Sequence, residues 1–157
     1  MPFWIKALAS VVAMELLGGL GAAVTGSQIA GWYAGLNKPP GTPPNWLFGP
    51  VWISLYAMVG VAFAIIWHRA EAGPAKRAVM LWFAVQLVLN LAWTPMFFGW
   101  HKLLLALVVI VALWVAIVVT IARFRKLQPV AGLLLIPYLL WVSYATYLNA
   151  GYWWLNR

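Results

Sequence analysis

The sequence contains no cysteine, only two acidic residues and only two histidines among its 157 residues. The lack of cysteine excludes disulfide bonds and thiolate metal ligands within the chain. The two acids cannot form the carboxylate pair of a glycosidase or an aspartic protease, because Glu15 falls in an apolar segment and Glu71 in a loop. There is also no glycine-rich phosphate loop and no nucleophile elbow. The common hydrolytic and phosphoryl-transfer chemistries are therefore excluded.

Charge is scarce as well: 8% of the residues are charged, 66% are hydrophobic, and the mean hydropathy is +0.92. A soluble domain carries about a quarter charged residues. Apolar windows long enough to cross about 30 Å of hydrocarbon predict spans at about 5–26, 46–67, 79–99, 103–122 and 129–153. The chain is thus predicted to be an all-α integral membrane protein, a five-transmembrane-helix bundle that forms one domain over residues 1–157. The alternative for the first span is a cleaved signal peptide, but Glu15 interrupts its apolar core.

Lysine and arginine are distributed unevenly between the two ends of the predicted bundle. On the side of the amino terminus lie Lys6, Arg69, Lys76, Arg77, Arg123, Arg125 and Lys126, and on the opposite side lie Lys38, Lys102 and Arg157. The positive-inside rule therefore predicts a cytoplasmic amino terminus and a carboxy terminus outside. We assign the net charge of +8 to this topology and to lipid headgroups, because no basic run is long enough for nucleic acid. The same topology separates His68 from His101, so they cannot share a metal ion.

The third predicted span carries amides and aromatic rings on one helix face. The residues at i, i+4, i+7 and i+11 are Gln86, Asn90, Trp93 and Phe97. Lipid is a poor neighbour for amides, so this face is predicted to point into the bundle. Pro95 lacks an N–H group and leaves the carbonyl of Leu91 without its helical donor. The polar residues, Asn90 or Thr94 among them, either repair the backbone at this break or belong to a ligand site.

Two further spans carry a matching aromatic face. The repeats are Trp52, Tyr56, Val59 and Phe63 on the second span, and Tyr138, Trp141, Ala145 and Leu148 on the fifth. An aromatic stripe usually serves core packing or an interfacial belt, but Trp52, Trp93 and Trp141 fall too deep for a belt. Ala145 leaves space between the large rings. The three faces together predict an apolar pocket with aromatic walls.

The longest connection, which we call the lid loop, is residues 27–45, "SQIAGWYAGLNKPPGTPPN", with four prolines. Paired prolines restrict a backbone far more than a Gly/Ser linker does, and long loops in compact proteins are commonly functional lids. This loop lies on the outer side, where Trp93 and Phe97 emerge from the bundle. We therefore predict a stiff lid over the pocket. Either Asn45 caps the second helix, or Pro50 occupies its first turn.

The first span combines an acid with a row of small residues. Glu15 is either a functional group of the membrane interior or a glutamate satisfied by a hydroxyl within the bundle. Gly18, Ala22 and Gly26 recur every four residues and line one face with small side chains. Such a face permits close helix contact, either within the bundle or between protomers.

Four segments identify a family: "WYAGLNKPP", "PPNWLFGPVWISLY", "QLVLNLAWTPMFFG" and "PYLLWVSYATYLN". Together they resemble the TspO/MBR family, the tryptophan-rich sensory proteins and mitochondrial translocator proteins, over nearly the whole chain. The resemblance implies a five-helix bundle that binds porphyrins (protoporphyrin IX-like tetrapyrroles), sterol-like lipids, benzodiazepines and isoquinoline carboxamides. It also implies a homodimer, with an interface involving the third helix. We expect no obligatory cofactor, with porphyrin as a ligand.

The resemblance also implies which residues line the pocket. Trp52 and Trp141 match family tryptophans that line it and are linked to porphyrin photochemistry. Other matching positions are Tyr33, Pro43 or Pro44, Asn90, Trp93, Phe97 and Ala145, to which the helical stripes add Tyr56 and Leu148. The family's sterol motif is satisfied by Leu148, Tyr152 and Arg157 only with wide gaps, which argues against sterol binding.

Three functions are consistent with these features. The first is a membrane receptor or carrier for porphyrins and similar flat, apolar ligands. The second is an enzyme that degrades porphyrin in light, in which Trp52 and Trp141 serve as oxidisable donors to the excited pigment. The third is a regulatory membrane partner whose pocket is incidental. Saturable pigment binding separates the third function from the others, and light-dependent pigment loss separates the second from the first.

Overall fold

The computed structural model describes all 157 residues and contains six α-helices and no strands. The helices are α1 (Phe3–Ile29), α2 (Phe48–Arg69), α3 (Pro74–Thr94), α4 (Leu103–Leu127), α5 (Pro129–Leu134) and α6 (Ile136–Leu155). Pro95–Gly99 forms a π-helical turn, and Tyr33–Gly35 and Asn45–Leu47 form 3₁₀ turns. Five segments are long and apolar enough to span a membrane: Phe3–Ile29, Asn45–Arg69, Pro74–Gly99, Leu103–Leu127 and Pro129–Leu155. The predicted five-helix bundle is confirmed.

The spans form a closed ring in the order α1, α2, α5–α6, α4 and α3. α1 packs mainly against α2, and the π-helical turn after α3 closes the ring against α1. Gly60 permits the close approach of α1 to α2, because a Cβ atom there would lie 2.8 Å from the Cα atom of Val11. The antiparallel order of the spans puts the lid loop and the carboxy terminus at one end of the bundle.

The buried side chains form two clusters. The larger cluster extends from the end of the bundle nearest the amino terminus, where the rings of Phe83 and Phe124 stack with centroids 6.0 Å apart. The smaller cluster lies at the opposite end and consists of Tyr33, Phe97, Phe98, Ala106, Leu148 and Tyr152. In the outer half of the bundle, between these clusters and α1, the side chains leave a space, which is the cavity described below.

Prolines interrupt two of the spans. α3 ends at Thr94, and the π-helical turn continues it until the Trp100 N–H donates to the Pro95 carbonyl at 2.7 Å. The fifth span, predicted as one helix over 129–153, is divided at Leu135 into α5 and α6. Pro137 cannot donate to a carbonyl in the preceding turn, which accounts for a break there. α2 begins at Phe48 without a side-chain cap, so Pro50 lies in its first turn and Asn45 does not cap it.

Candidate functional site

A cavity of about 390 Å³ lies between α1, α2, the π-helical turn and α6. Its 24 lining residues include 14 hydrophobic ones. Ligand pockets typically enclose about 300–1,000 Å³ and are mostly apolar with a few polar groups. The size and lining of this cavity fit an apolar small molecule.

Aromatic rings from four elements form much of the wall. Trp52 of α2 and Trp141 of α6 meet edge to face, with ring centroids 6.4 Å apart and an interplanar angle of 89°. Trp93 of α3 packs against Phe97 of the π-helical turn at 5.2 Å between centroids. All four of these residues line the cavity. On each helix, the spacing of the aromatic stripe puts its residues on the same side. The indole faces thus surround a common space.

The structure brings together eight of the predicted site residues around the cavity. They are Tyr33, Trp52, Tyr56, Trp93, Phe97, Trp141, Ala145 and Leu148. Tyr138, the first residue of the stripe on the fifth span, instead lies in the larger core cluster. The predicted convergence of three aromatic faces therefore matches the arrangement of the helices.

Three predicted lining residues do not line the cavity: Pro43, Pro44 and Asn90. Pro44 precedes the 3₁₀ turn Asn45–Leu47, and this turn brings Asn45 and the following Phe48 to the cavity wall instead. The prolines therefore shape the approach to α2 without facing the space themselves.

Asn90 lies behind the wall, only 4% exposed, and holds two tyrosines from other helices. The Tyr56 hydroxyl donates to Asn90 Oδ1 at 2.7 Å, and Asn90 Nδ2 donates to the Tyr138 hydroxyl at 2.7 Å. The Tyr138 hydroxyl in turn donates to Gln86 Oε1 at 2.8 Å. The suggestion that Asn90 repairs the backbone beside Pro95 is thus wrong: its amide links α2, α3 and α6 behind the cavity.

A second amide braces the cavity at its outer end. Trp93 Nε1 donates to Asn149 Oδ1 at 2.9 Å, and Asn149 Nδ2 donates to the Leu103 carbonyl at 2.9 Å. This arrangement ties the Trp93 indole to α6 and, through Asn149, to the start of α4, while the residue lines the cavity. The polar end of this ring is satisfied within the protein, as buried indole N–H groups usually are.

The wall contributed by α1 was not anticipated from the sequence. It consists of Glu15, Gly18, Gly19, Gly21, Ala22, Thr25, Gly26 and Ile29. The row Gly18, Ala22 and Gly26 was the available signal, but its spacing fits close helix contact equally well. At Gly18 the missing side chain admits the Tyr56 ring, because an added Cβ atom would lie 2.6 Å from that ring. Lining residues on other elements that were not predicted as such include Asn45, Phe48, Ile53, Phe98, Asn149 and Tyr152. Thr94, for which a ligand site was one of two predicted roles, also lines the cavity.

The lid loop is anchored at the outer end of the cavity through Tyr33. This side chain is 2% exposed and packs on Phe98, with ring centroids 5.6 Å apart. The Tyr152 hydroxyl donates to the Tyr33 hydroxyl at 2.7 Å. Burial raises the pKa of Tyr33 above its usual range, and the hydrogen bond with Tyr152 adds to the shift. Tyr33 is therefore a neutral anchor at any physiological pH.

Further contacts tie the lid loop to the ends of the helices. The Tyr147 hydroxyl donates to the Pro40 carbonyl at 2.7 Å, and Tyr144 donates to the Gly41 carbonyl. Near the start of the loop, the Trp32 and His101 rings stack with centroids 3.9 Å apart and planes 7° apart. These contacts lay the loop across α6 and the π-helical turn, which is the position that the sequence predicted for a lid.

The sequence model of the TspO/MBR family matches residues 10–155. The chain belongs to the TspO/MBR family. It is 40% identical over 152 residues to the tryptophan-rich protein TspO of Archaeoglobus fulgidus, covering 97% of each chain. It is 37% identical over 158 residues to the translocator protein of Bos taurus, covering 99% of this chain and 93% of that one. It is 38% identical over 118 residues to a tryptophan-rich sensory protein of Cereibacter sphaeroides, covering 75% and 72%.

Membership of the TspO/MBR family confirms the resemblance drawn from the four sequence segments. Together with the five apolar helices it establishes an integral, multi-pass membrane protein. The family supports a membrane receptor or transporter function.

Proposed function

We propose that this protein is a membrane receptor or carrier that binds porphyrins and other flat, apolar ligands in the cavity between α1, α2, the π-helical turn and α6. Isoquinoline carboxamides and benzodiazepines are ligands of the same kind. The observation that carries the proposal is the set of three tryptophans, Trp52, Trp93 and Trp141, on the wall of one cavity. Indole faces offer a large, rigid, apolar contact area that suits a planar macrocycle.

The polar groups around the cavity support recognition by shape rather than by a dense hydrogen-bond pattern. The Tyr56 hydroxyl and the Trp93 indole N–H are already paired with Asn90 and Asn149. A ligand therefore gains its affinity mainly from the apolar area it buries. The names of the relatives, translocator protein and tryptophan-rich sensory protein, agree with a role in carrying or sensing such a molecule.

The test is a titration of the purified protein in mild detergent with protoporphyrin IX in the dark. Bound pigment should quench tryptophan emission, because three indoles lie on the cavity wall. We expect quenching that saturates at about one pigment per chain. A free tryptophan derivative in the same detergent corrects for absorption of light by the pigment. Quenching that stays linear after this correction would contradict the proposal and favour a regulatory partner without a functional pocket.

Light-dependent degradation of porphyrin is the second candidate function. The observation that favours it is the contact between Trp52 and Trp141, which puts two oxidisable indoles side by side on the cavity wall. Such a reaction uses the excited state of the pigment, with the tryptophans as donors. The test is illumination of the saturated complex with a dark sample beside it. Loss of pigment absorbance only in light, and faster than in protein-free detergent, supports this function.

A further inference from the structure

Glu15 is the only acidic residue in the membrane spans, and it lines the cavity. It lies near the middle of α1, with 12 residues before it and 14 after it in the helix. At 1.5 Å per residue, it is about 18 Å from one end of α1 and about 21 Å from the other. Its carboxyl group is therefore at the depth of the membrane interior.

Glu15 has no polar partner within the protein. Its carboxyl group forms no hydrogen bond or salt bridge with another residue of the chain. Gly18 and Gly19, about one helical turn further along α1, have no side chains, and Tyr56 of α2 lines the same cavity. The Tyr56 hydroxyl donates its hydrogen to Asn90 instead. Acids in membrane spans are almost always paired with another group, so the missing partner of Glu15 is expected in the cavity itself.

We propose that Glu15 accepts a hydrogen bond from a positively charged nitrogen on the ligand, so that the cavity prefers flat, apolar ligands that carry a basic amine. This inference rests on the proposed function and adds to it the charge class of the ligand. An ammonium beside Glu15 forms a charge-assisted hydrogen bond in a site with few competing polar groups. A ligand carboxylate at the same position places two like charges together and is disfavoured. Protoporphyrin then binds with its carboxylates turned toward the outer end of the cavity.

The test compares three derivatives of one porphyrin ring in uncharged detergent at neutral pH in the dark. The first is protoporphyrin with its two carboxylates, the second is its neutral dimethyl ester, and the third has side chains that end in primary amines. For the parent protein we expect the amine derivative to bind about tenfold more tightly than the carboxylate. In Glu15→Gln, which keeps the size of the side chain, we expect that preference to disappear.

Glu71→Gln is the matched control, because it removes the same charge from the exposed loop before α3, outside the cavity. It should keep the preference of the parent protein. If Glu15→Gln and Glu71→Gln both keep that preference, the inference is overturned. A parent protein that favours the carboxylate also overturns it, since Glu15 would then act as a hydrogen-bond donor.

The neutral ester separates failure of this inference from failure of the proposed function. If the parent protein does not bind the ester, the proposed cavity function is contradicted. If it binds the ester but has no preference for the amine over the carboxylate, only the role of Glu15 is contradicted. This comparison within the parent protein decides the matter even if Glu15→Gln does not fold.

Discussion

The indole of Trp52 meets the indole of Trp141 edge to face at the cavity wall, with ring centroids 6.4 Å apart. The two residues are 89 positions apart in the sequence and come from α2 and α6. Phe48 packs on Trp141 at 6.1 Å, and Tyr56 packs on Trp52 at 5.6 Å. Four rings of the cavity wall are thus in contact at this corner. A bound pigment would therefore meet both proposed photochemical donors at one place.

Replacing either tryptophan of this pair by phenylalanine should separate binding from photochemistry. Trp141→Phe and Trp52→Phe keep an aromatic face, so each should bind protoporphyrin within about tenfold of the parent protein, or about 1.4 kcal/mol. Each loses an oxidisable indole, so the light-dependent decay of pigment absorbance should slow strongly. Trp4→Phe is the control, because Trp4 is exposed near the amino terminus and does not line the cavity. Unchanged decay in both cavity variants would leave a binding protein without this chemistry.

Asn90→Ala should destabilise the bundle as well as weaken ligand binding. The Tyr56 hydroxyl loses its only acceptor, whereas Tyr138 keeps Gln86. A buried hydroxyl without a partner costs about 1–3 kcal/mol, so Tm in detergent should fall by about 2–10 °C. Freed from Asn90, the Tyr56 ring should also fit the ligand less well.

Asn37→Ala serves as a comparison for that loss, because the Asn37 side chain donates a hydrogen bond to the Leu155 carbonyl at an exposed position on the lid loop. Its effect on Tm should be smaller than that of Asn90→Ala. The role assigned to Asn90 would be contradicted if both variants had the same Tm as the parent protein.

The spans and the aromatic faces could be predicted from the sequence because hydropathy and helical spacing are local properties. Trp93 and Phe97 share a face whatever surrounds α3. By contrast, Asn90 is on the same face but faces tyrosines rather than the cavity, and that outcome depends on the neighbouring helices. The small face of α1 was ambiguous for a similar reason, since glycine fits both a close helix contact and an open wall. The positions of Pro43 and Pro44 relative to the cavity depend on the conformation of the lid loop, which helical periodicity does not predict.

The orientation in the membrane is a separate prediction from the distribution of basic residues. Ala72→Cys and Arg157→Cys each introduce the only thiol in the chain, at exposed positions near opposite ends of the bundle. In intact cells a membrane-impermeant maleimide should label the thiol at 157 and reach the one at 72 only after permeabilisation. Labelling of both thiols in intact cells, or of the one at 72 alone, would contradict the predicted orientation.

We further expect a homodimer whose contact does not use the small-residue face of α1. Ala22 lines the cavity, so Ala22→Leu should weaken porphyrin binding without changing the oligomeric state of the protein in mild detergent. The outward residues Leu81 and Val88 of α3 are more than half exposed and are available to a second copy. Native mass spectrometry distinguishes these outcomes. A monomeric parent protein would rule out the dimer. Dissociation caused by Ala22→Leu would show instead that the small-residue face of α1 forms the dimer contact.

A substitution at Ala145 tests the role of the cavity most directly. Its small side chain lies on α6 between the aromatic walls, one helical turn from Trp141 and close in sequence to Leu148. Phenylalanine at this position would occupy the space that a flat ligand needs. Ala112 is an exposed residue of α4, a helix that does not line the cavity, so the same substitution there is a matched control.

The decisive measurement is the quenching of tryptophan emission by protoporphyrin in the dark for Ala145→Phe, Ala112→Phe and the parent protein. Melting curves in the same detergent establish that all three are folded. The cavity account predicts that Ala145→Phe loses saturable quenching, at least tenfold in affinity (about 1.4 kcal/mol), while Ala112→Phe binds like the parent protein. Unchanged binding by a folded Ala145→Phe would contradict the account and move the ligand out of the cavity, to the lipid-facing surface.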